Sequence, residues 1–388
     1  MENNMYDLIL KGGTVIDPSQ NIETVMDIAF TNNRITMLAK TIPETDADQV
    51  VNTDGIIITP GLIDIHVHIF EHVSYLGVNP EKYCLGKGVT TVVDAGSAGA
   101  RNFSGLRKFI IDVSRTRILA YINLSELGML SSNVGELEDL RFADKKAALR
   151  IIEDNRDLIL GIKVRMDTYI LGDNGLEVLK LARETSDASG LPIMFHIGET
   201  SPPLEKILAE ARSGDVITHC YTGRPRGILD DDGVVLPEVD EAQKRGIIFD
   251  VGHGLGGFTF RVARQAIAQG VLPGTISTDL HSLNVSGPVF DLATTMSKFL
   301  HLGLNLRQVV EMTTLNPARV IRMENHLGTL KPGSIADLTL LKLHEGPISL
   351  SDAGWTEPVE TVIADRYLFP IGVVREGKLV YFPEKSDP

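Results

Sequence analysis

Eight apolar runs separated by amphipathic stretches constrain this chain more than any other feature of its sequence. The runs occupy residues 62–69, 89–95, 118–125, 158–165, 192–198, 216–221, 247–252 and 275–279. Short β-branched runs bounded by Gly, Pro and polar clusters read as buried strands. Between them, stretches such as LEVLKLARETSDASG and PPLEKILAEARSGD repeat Leu, Ile and Ala at three- and four-residue spacing and close on Gly, the pattern of an amphipathic helix. Eight such units over roughly 270 residues match the size of a (β/α)8 TIM barrel. A doubly wound open sheet is the alternative α/β arrangement, but no glycine-rich phosphate fingerprint follows the first run.

The flanks have a different texture. Residues 1–59 read as short extended pieces separated by turns, in YDLILKGGTVID, DIAFTNNRITMLA and GIIITPG, and residues 328–388 repeat that texture in GTLKPGSIADLTLLKL and VIADRYLFPIGVVREGKLVYF. Neither flank offers enough strands for a stable sheet alone. The two are therefore expected to fold together as one small β-domain, with the barrel of residues 60–327 inserted between its halves.

Charge and cysteine content narrow the function. Lys and Arg total 37 against 51 Asp and Glu, a net charge of -14, which argues against nucleic acid or an anionic membrane as partner. The first residues carry no basic stretch ahead of an apolar one, and nowhere do about 18 apolar residues run together, so a cytoplasmic protein is expected. With only Cys84 and Cys220 present, a metal must be held by His, carboxylate or something less usual.

The core runs end in residues able to bind metal or move protons: His66 and His68 in DIHVHIF, Lys163 in LGIKVRM, His196 in IMFHIG, His219 in ITHCY and Asp279 in ISTDLH. In a barrel these ends converge on one face, where active sites form. His66 and His68, two apart on a strand, point to the same side, and a divalent metal satisfies both. Taken singly, His196 and His219 read more readily as hydrogen-bonded core residues and Asp279 as a turn or N-cap residue. At the ends of such runs they read as ligands.

Lys163 carries the sharpest inference. A lysine inside LILGIKVRM buries a cation beside a metal-binding cluster, unfavourable through both desolvation and repulsion. Burial favours the neutral amine, which can add carbon dioxide to give an anionic N-carboxylysine whose two oxygens bridge a pair of metal ions. The alternative is a charged Lys163 paired with Asp94 or Asp250.

These residues resemble the amidohydrolase superfamily, in its binuclear branch with a carboxylated lysine. The resemblance rests on PGLIDIHVH, Lys163, His196, His219 and Asp279, and extends to LKGGTVIDP and GTLKPGSIADLTLL at the flanks, where it implies a split β-sandwich. GVTTVVDAGSAGARNFSGL, GDVITHCYTGRPRGILDDDG, IIFDVGHGLGGFTF and TISTDLHSLNVSGPVFDL are similar to a deacetylase-like group loosely labelled dihydroorotase. The arginine that dihydroorotases place just after the HxH pair is absent, since Ile69, Phe70 and Glu71 follow His68, which argues against pyrimidine synthesis.

The resemblance implies two divalent ions per subunit, expected to be zinc. His66, His68 and Asp279 would hold one and His196 and His219 the other, with carboxylated Lys163 between them and Asp279 as catalytic acid and base. The expected substrate is a small acylated acid carrying a carboxylate, cleaved at an amide or similar ester bond, with Tyr221 and Arg224 expected to contact it. Arg165 and Arg226 are further carboxylate candidates, and His253 and His281 candidate supporting donors. The alternatives are a cyclic amidase of the dihydroorotase or hydantoinase type and a purine or cytosine deaminase, for which Glu199 would be the acid. A homo-oligomer is the one protein partner this reading allows.

Overall fold

A computed structural model describes residues 5–354 and 358–381 of the chain. The outermost residues of the expected flanking unit, 1–4 and 382–388, lie outside the described residues.

Both flanks contribute to one eight-stranded sheet. From the N-terminal side come β1 (Tyr6–Asp17), β2 (Ile22–Thr31), β3 (Arg34–Ala39), β4 (Ala47–Asn52) and β5 (Ile57–Pro60). The C-terminal side supplies three more strands, numbered β13 to β15 below. Leu8, Leu10, Ile28 and Phe30 from one end pack with Leu338, Leu340 and Val374 from the other, so neither half buries its apolar face without its distant partner. A single glycine then carries the chain into the second sheet. Gly61 donates its N–H to Asp337 O at 2.8 Å, and a side chain there would press on Thr90.

Seven of the eight apolar runs form a curled parallel sheet: β6 (Leu62–Val67), β7 (Val89–Ala95), β8 (Arg117–Asn123), β9 (Ile159–Arg165), β10 (Ile193–His196), β11 (Val216–Thr218) and β12 (Ile248–Asp250). Every residue of β6 and β7 is buried, as expected of strands covered on both faces. The expected helices form where their periodicity placed them, at Gly175–Ser189, closed by the left-handed Gly190, and at Leu204–Glu210. Among the described residues no helix is long and apolar enough to cross a membrane.

The eighth run departs from expectation, because residues 275–279 form no regular strand. Isolated parallel bridges join Thr275 to Asp250 at one sheet edge and Leu280 to Val67 at the other. Side chains do much of the joining: Thr275 and Ser277 donate to Asp250, and Thr278 donates to Asp64, at 2.5–2.7 Å. These bonds to two buried carboxylates add to backbone bonds from Val251, His253 and Gly254 N–H to Thr275, Ser277 and Thr278 O. One segment touching both edges shows how far the sheet curls, a TIM-barrel-like arrangement. The chain then returns to the first sheet through β13 (Leu338–Ser351), β14 (Thr361–Arg375) and β15 (Lys378–Tyr381), with β13 pairing antiparallel to β5.

Candidate metal centre

The C-terminal ends of the parallel strands bring His66, His68, Lys163, His196, His219 and Asp279 to the wall of one cavity of about 330 Å³. The contacts fall into two abutting groups. Asp279 Oδ1 lies 3.0 Å from His68 Nε2 and 3.4 Å from His66 Nε2. His196 Nδ1 lies 2.8 Å from His219 Nε2. Donor atoms of His66, His219 and Asp279 all fall within 4.8 Å of one another, which ties the groups together.

Hydrogen bonding on the far side of three rings fixes their tautomers. Gly252 O can only accept, so His219 Nδ1 donates to it at 2.5 Å and Nε2 keeps its lone pair. Thr218 Oγ1 gives its proton to Asp250 and therefore accepts from His66 Nδ1 at 2.8 Å, leaving His66 Nε2 as a lone pair facing the cavity. Asp167 accepts from His196 Nε2 at 3.0 Å, which turns the Nδ1 lone pair inward. His68 Nδ1 is bonded to Ser97 Oγ at 2.9 Å. The lone pairs of His196 and His219 thus face each other at 2.8 Å, an arrangement that repels unless a cation or proton lies between them.

Two donors bound at 2.0–2.1 Å to one tetrahedral zinc lie about 3.3 Å apart, close to the 2.8–3.4 Å observed here. The donor set therefore fits divalent metal. Burial also pushes the His66 and His219 imidazoles well below their ordinary range and lowers His196, and the neutral imidazole is the form that ligates.

Lys163 is completely buried on β9. Burial lowers its ammonium to about 7, against an opposing pull from Asp279. Its Nζ lies 3.2 Å from His66 Nε2 and 3.4 Å from Met194 Sδ, and no described carboxylate comes within ion-pair distance. Asp250 is engaged by Thr218, Thr275 and Ser277, and Asp94 accepts from the backbone of Ile69 and Ser97. The pairing with Asp94 or Asp250 is absent. Burial alone would raise the Asp279 carboxyl, but His66, His68 and His281 outweigh it and hold it well below the usual carboxylate range.

Arg165, Arg224 and Tyr169 line the same cavity, with the apolar Leu255 and Leu283. Arg165 donates to Glu136 and to the Tyr169 hydroxyl, each at 2.6 Å. Arg224 donates to Asp167 at 3.1 Å, so one carboxylate orients both a cavity-wall arginine and His196.

Tyr221 is a correction. Its hydroxyl donates to Val271 O at 2.8 Å and its ring packs near Phe299 in the core, so it does not line the cavity. His253 is turned to Lys298, at 2.7 Å, and Arg226 to Thr200 O, whereas His281 does line the cavity. Sequence reasoning missed Asp167, Thr218, Ser97 and Glu136. For Asp167 a signal existed: with Lys163 and Arg165 it continues a period of two, which puts all three on one strand face. Thr218 and Ser97 carry none, because a hydroxyl behind a ligand looks like any other buried hydroxyl.

Gly252 is where the supports crowd most closely. It has φ +47°, and a Cβ there would press on Thr218 Oγ1 while standing 2.9 Å from His219 Nδ1 and 3.1 Å from His66 Nδ1. Gly252→Ala is expected to weaken metal binding by about 10- to 100-fold, the cost of disturbing supporting partners, and to destabilise the fold by about 1–3 kcal/mol. Metal titration and denaturant unfolding would read both; unchanged values would mean the supports tolerate displacement.

The amidohydrolase family model matches residues 57–380. A deacetylase of Agrobacterium fabrum is 39% identical over 308 residues, 79% of this chain and 75% of that protein. Two solved structures superpose over 97% of the chain: one titled an adenine deaminase, at TM-score 0.89 and 33% identity over all of that chain, and one titled a dihydroorotase, at 0.87 and 34% over 99% of it. With a match that takes in the curled sheet, the donor-bearing strand ends and most of the flanking C-terminal strands, the chain belongs to the amidohydrolase family.

Proposed function

We propose that this chain is a binuclear metal-dependent hydrolase cleaving the amide, or a similar ester, bond of a small acylated carboxylic acid, in the manner of a deacetylase. The observation that carries the proposal is the set of inward-facing lone pairs on His66, His196 and His219 beside Asp279 and a buried amine with no carboxylate partner among the described residues. In this reading residues 60–327 make a complete (β/α)8 barrel and the two flanks a small β-sandwich domain.

His66, His68 and Asp279 would hold one ion and His196 and His219 the other, with zinc favoured by imidazole and carboxylate donors. The neutral Lys163 amine would add carbon dioxide, with an N–C bond formed and one proton lost to water, and the resulting carbamate would be an anionic ligand for the ions. When bound, the ions supply Lewis acidity, lowering the pKa of water and polarising a carbonyl oxygen. Asp279, ionised and 14% exposed toward the cavity, accepts the proton of the attacking water and passes it to the leaving amine or alkoxide. Arg224 and Arg165 line the cavity and would take a substrate carboxylate. Two buried free thiols, Cys84 and Cys220, support a reducing compartment, the cytoplasm.

Metal analysis paired with a hydrolysis screen of N-acetyl amino acids, O-acetyl hydroxy acids, dihydroorotate and hydantoins tests the reading. Two ions per chain and turnover of acylated acids are expected; one ion with deamination of a purine would overturn it. A cyclic amidase is the second reading, favoured by the dihydroorotase-titled structure. The deaminase reading draws on the other neighbour, but Glu199, its expected acid, is exposed and absent from the cavity lining.

If Arg224 binds the substrate carboxylate, Arg224→Met should remove discrimination between the free acid and its methyl ester. A hydrogen bond to a charged group contributes about 1.5–3 kcal/mol, so about 10- to 100-fold in KM is at stake. Ester and acid KM values that keep their wild-type ratio would take Arg224 out of substrate recognition.

A further inference from the structure

A second cavity, also of about 330 Å³, lies at the opposite end of the curled sheet, where the strands begin. Pro192 precedes β10, Ile248 opens β12 and Thr275 opens the eighth segment, and these residues line it together with Val320, Arg319 and Arg322. Two arginines, both exposed, and no carboxylate among the described residues line this space, in a chain whose net charge is -14. Arg319 donates to Asn316 at 3.2 Å. Arg322 makes no side-chain hydrogen bond or ion pair with any described residue; its left-handed backbone, φ +59°, closes the helix that carries Arg319, with Met323 N–H donating to Ala318 O at 2.8 Å.

Fixed hydrogen bonds lead from this cavity to the metal centre. Thr275 Oγ1 donates to Asp250 Oδ1 at 2.7 Å, Asp250 Oδ2 accepts from Thr218 Oγ1 at 2.7 Å, and Thr218 Oγ1 accepts from His66 Nδ1 at 2.8 Å. The eighth segment therefore has one end in the second cavity and contributes Asp279 near the other.

We propose that this cavity binds a small organic carboxylate, its charge taken by Arg319 and Arg322 and its apolar body by Pro192, Ile248 and Val320, and that the bonds from Thr275 transmit its occupancy to His66. Bidentate recognition of a planar carboxylate suits guanidinium, and apolar walls favour an organic anion over inorganic phosphate. The coupling rests on the metal-centre reading above; the binding site does not. Acids of this class are also what the proposed hydrolysis releases, so the cavity would let product act on the centre that makes it.

Calorimetric titration of the metal-loaded full chain with benzoate tests the site. Two molecules per chain are expected, one in each cavity, and Arg319→Gln/Arg322→Gln should weaken one class of site by about 10- to 100-fold per guanidinium lost while leaving the other intact. A single class of site that ignores the double substitution would overturn the proposal, and inorganic phosphate binding as tightly as benzoate would overturn the choice of an organic ligand. Linkage supplies the second readout: a ligand that acts on His66 must change metal affinity. Chelator competition should show a benzoate-dependent shift in the wild type that is reduced in the arginine variant and in Thr275→Val. Equal shifts in all three proteins would overturn the coupling. Should the chain bind no metal at all, the metal-centre reading fails, yet the count of benzoate sites in the metal-free protein still decides the cavity.

Discussion

Lys163→Ala is expected to lose metal and turnover together, with added short carboxylic acids restoring part of both. Losing an outer partner of a ligand costs about 10- to 100-fold in metal affinity, and removing a group proposed to ligate the ions should exceed that. The rescue distinguishes this from misfolding, because a small acid can occupy the space left by the carbamate. Full activity without Lys163 would end the carbamate proposal.

The same lysine makes a prediction about the metal-free protein. Its ammonium is lowered from 10.5 to about 7 by burial, so between pH 7 and 10.5 the unfolded chain holds more protons at this group than the folded one. Stability from this group therefore rises with pH across that window, and the cost of the buried charge is largest below it. Lys163→Met should stabilise the metal-free fold most at pH 6–7, with the margin shrinking toward pH 10. Denaturant unfolding of both proteins at the two pH values reads this directly; a margin independent of pH would mean that burial does not shift the amine from its ordinary range.

Asp279→Asn is expected to keep much of the metal, because the amide oxygen remains a donor, and to lower kcat by about 10²- to 10⁴-fold, the range for removing a general acid or base. Metal content and kcat measured on the same preparation separate the two roles. Turnover near the wild-type value would remove Asp279 from proton transfer, whereas a matched loss of metal would make it structural.

The chain of runs, and the residues closing them, was legible because periodicity and burial are local properties. His66, His68 and Lys163 lie on or directly after regular strand, where alternation tells which face a side chain takes, and the cavity gathers them. The same rule would have added Asp167 to Lys163 and Arg165 had it been extended two residues. The irregularity of the eighth segment was not so predictable: Thr275, Ser277 and Thr278 bond to Asp250 and Asp64, and those carboxylates lie on other runs.

Tyr221 marks where alternation stops. It stands two residues after His219, so a continuous strand would have sent both side chains to the same face. His219 instead has φ +70°, and Asp279 has φ +48°, and one left-handed residue redirects everything after it. By itself the sequence determined which donors exist, their order along the strands and the pairing of both chain ends into one sheet. Only the tertiary structure decided which ring nitrogen faces inward, which tyrosine turns away and how the last segment attaches. The physical reason is that tautomers and backbone reversals are set by partners distant in the chain, a Thr218 hydroxyl, a Gly252 carbonyl and an Asp167 carboxylate, and no local pattern encodes them.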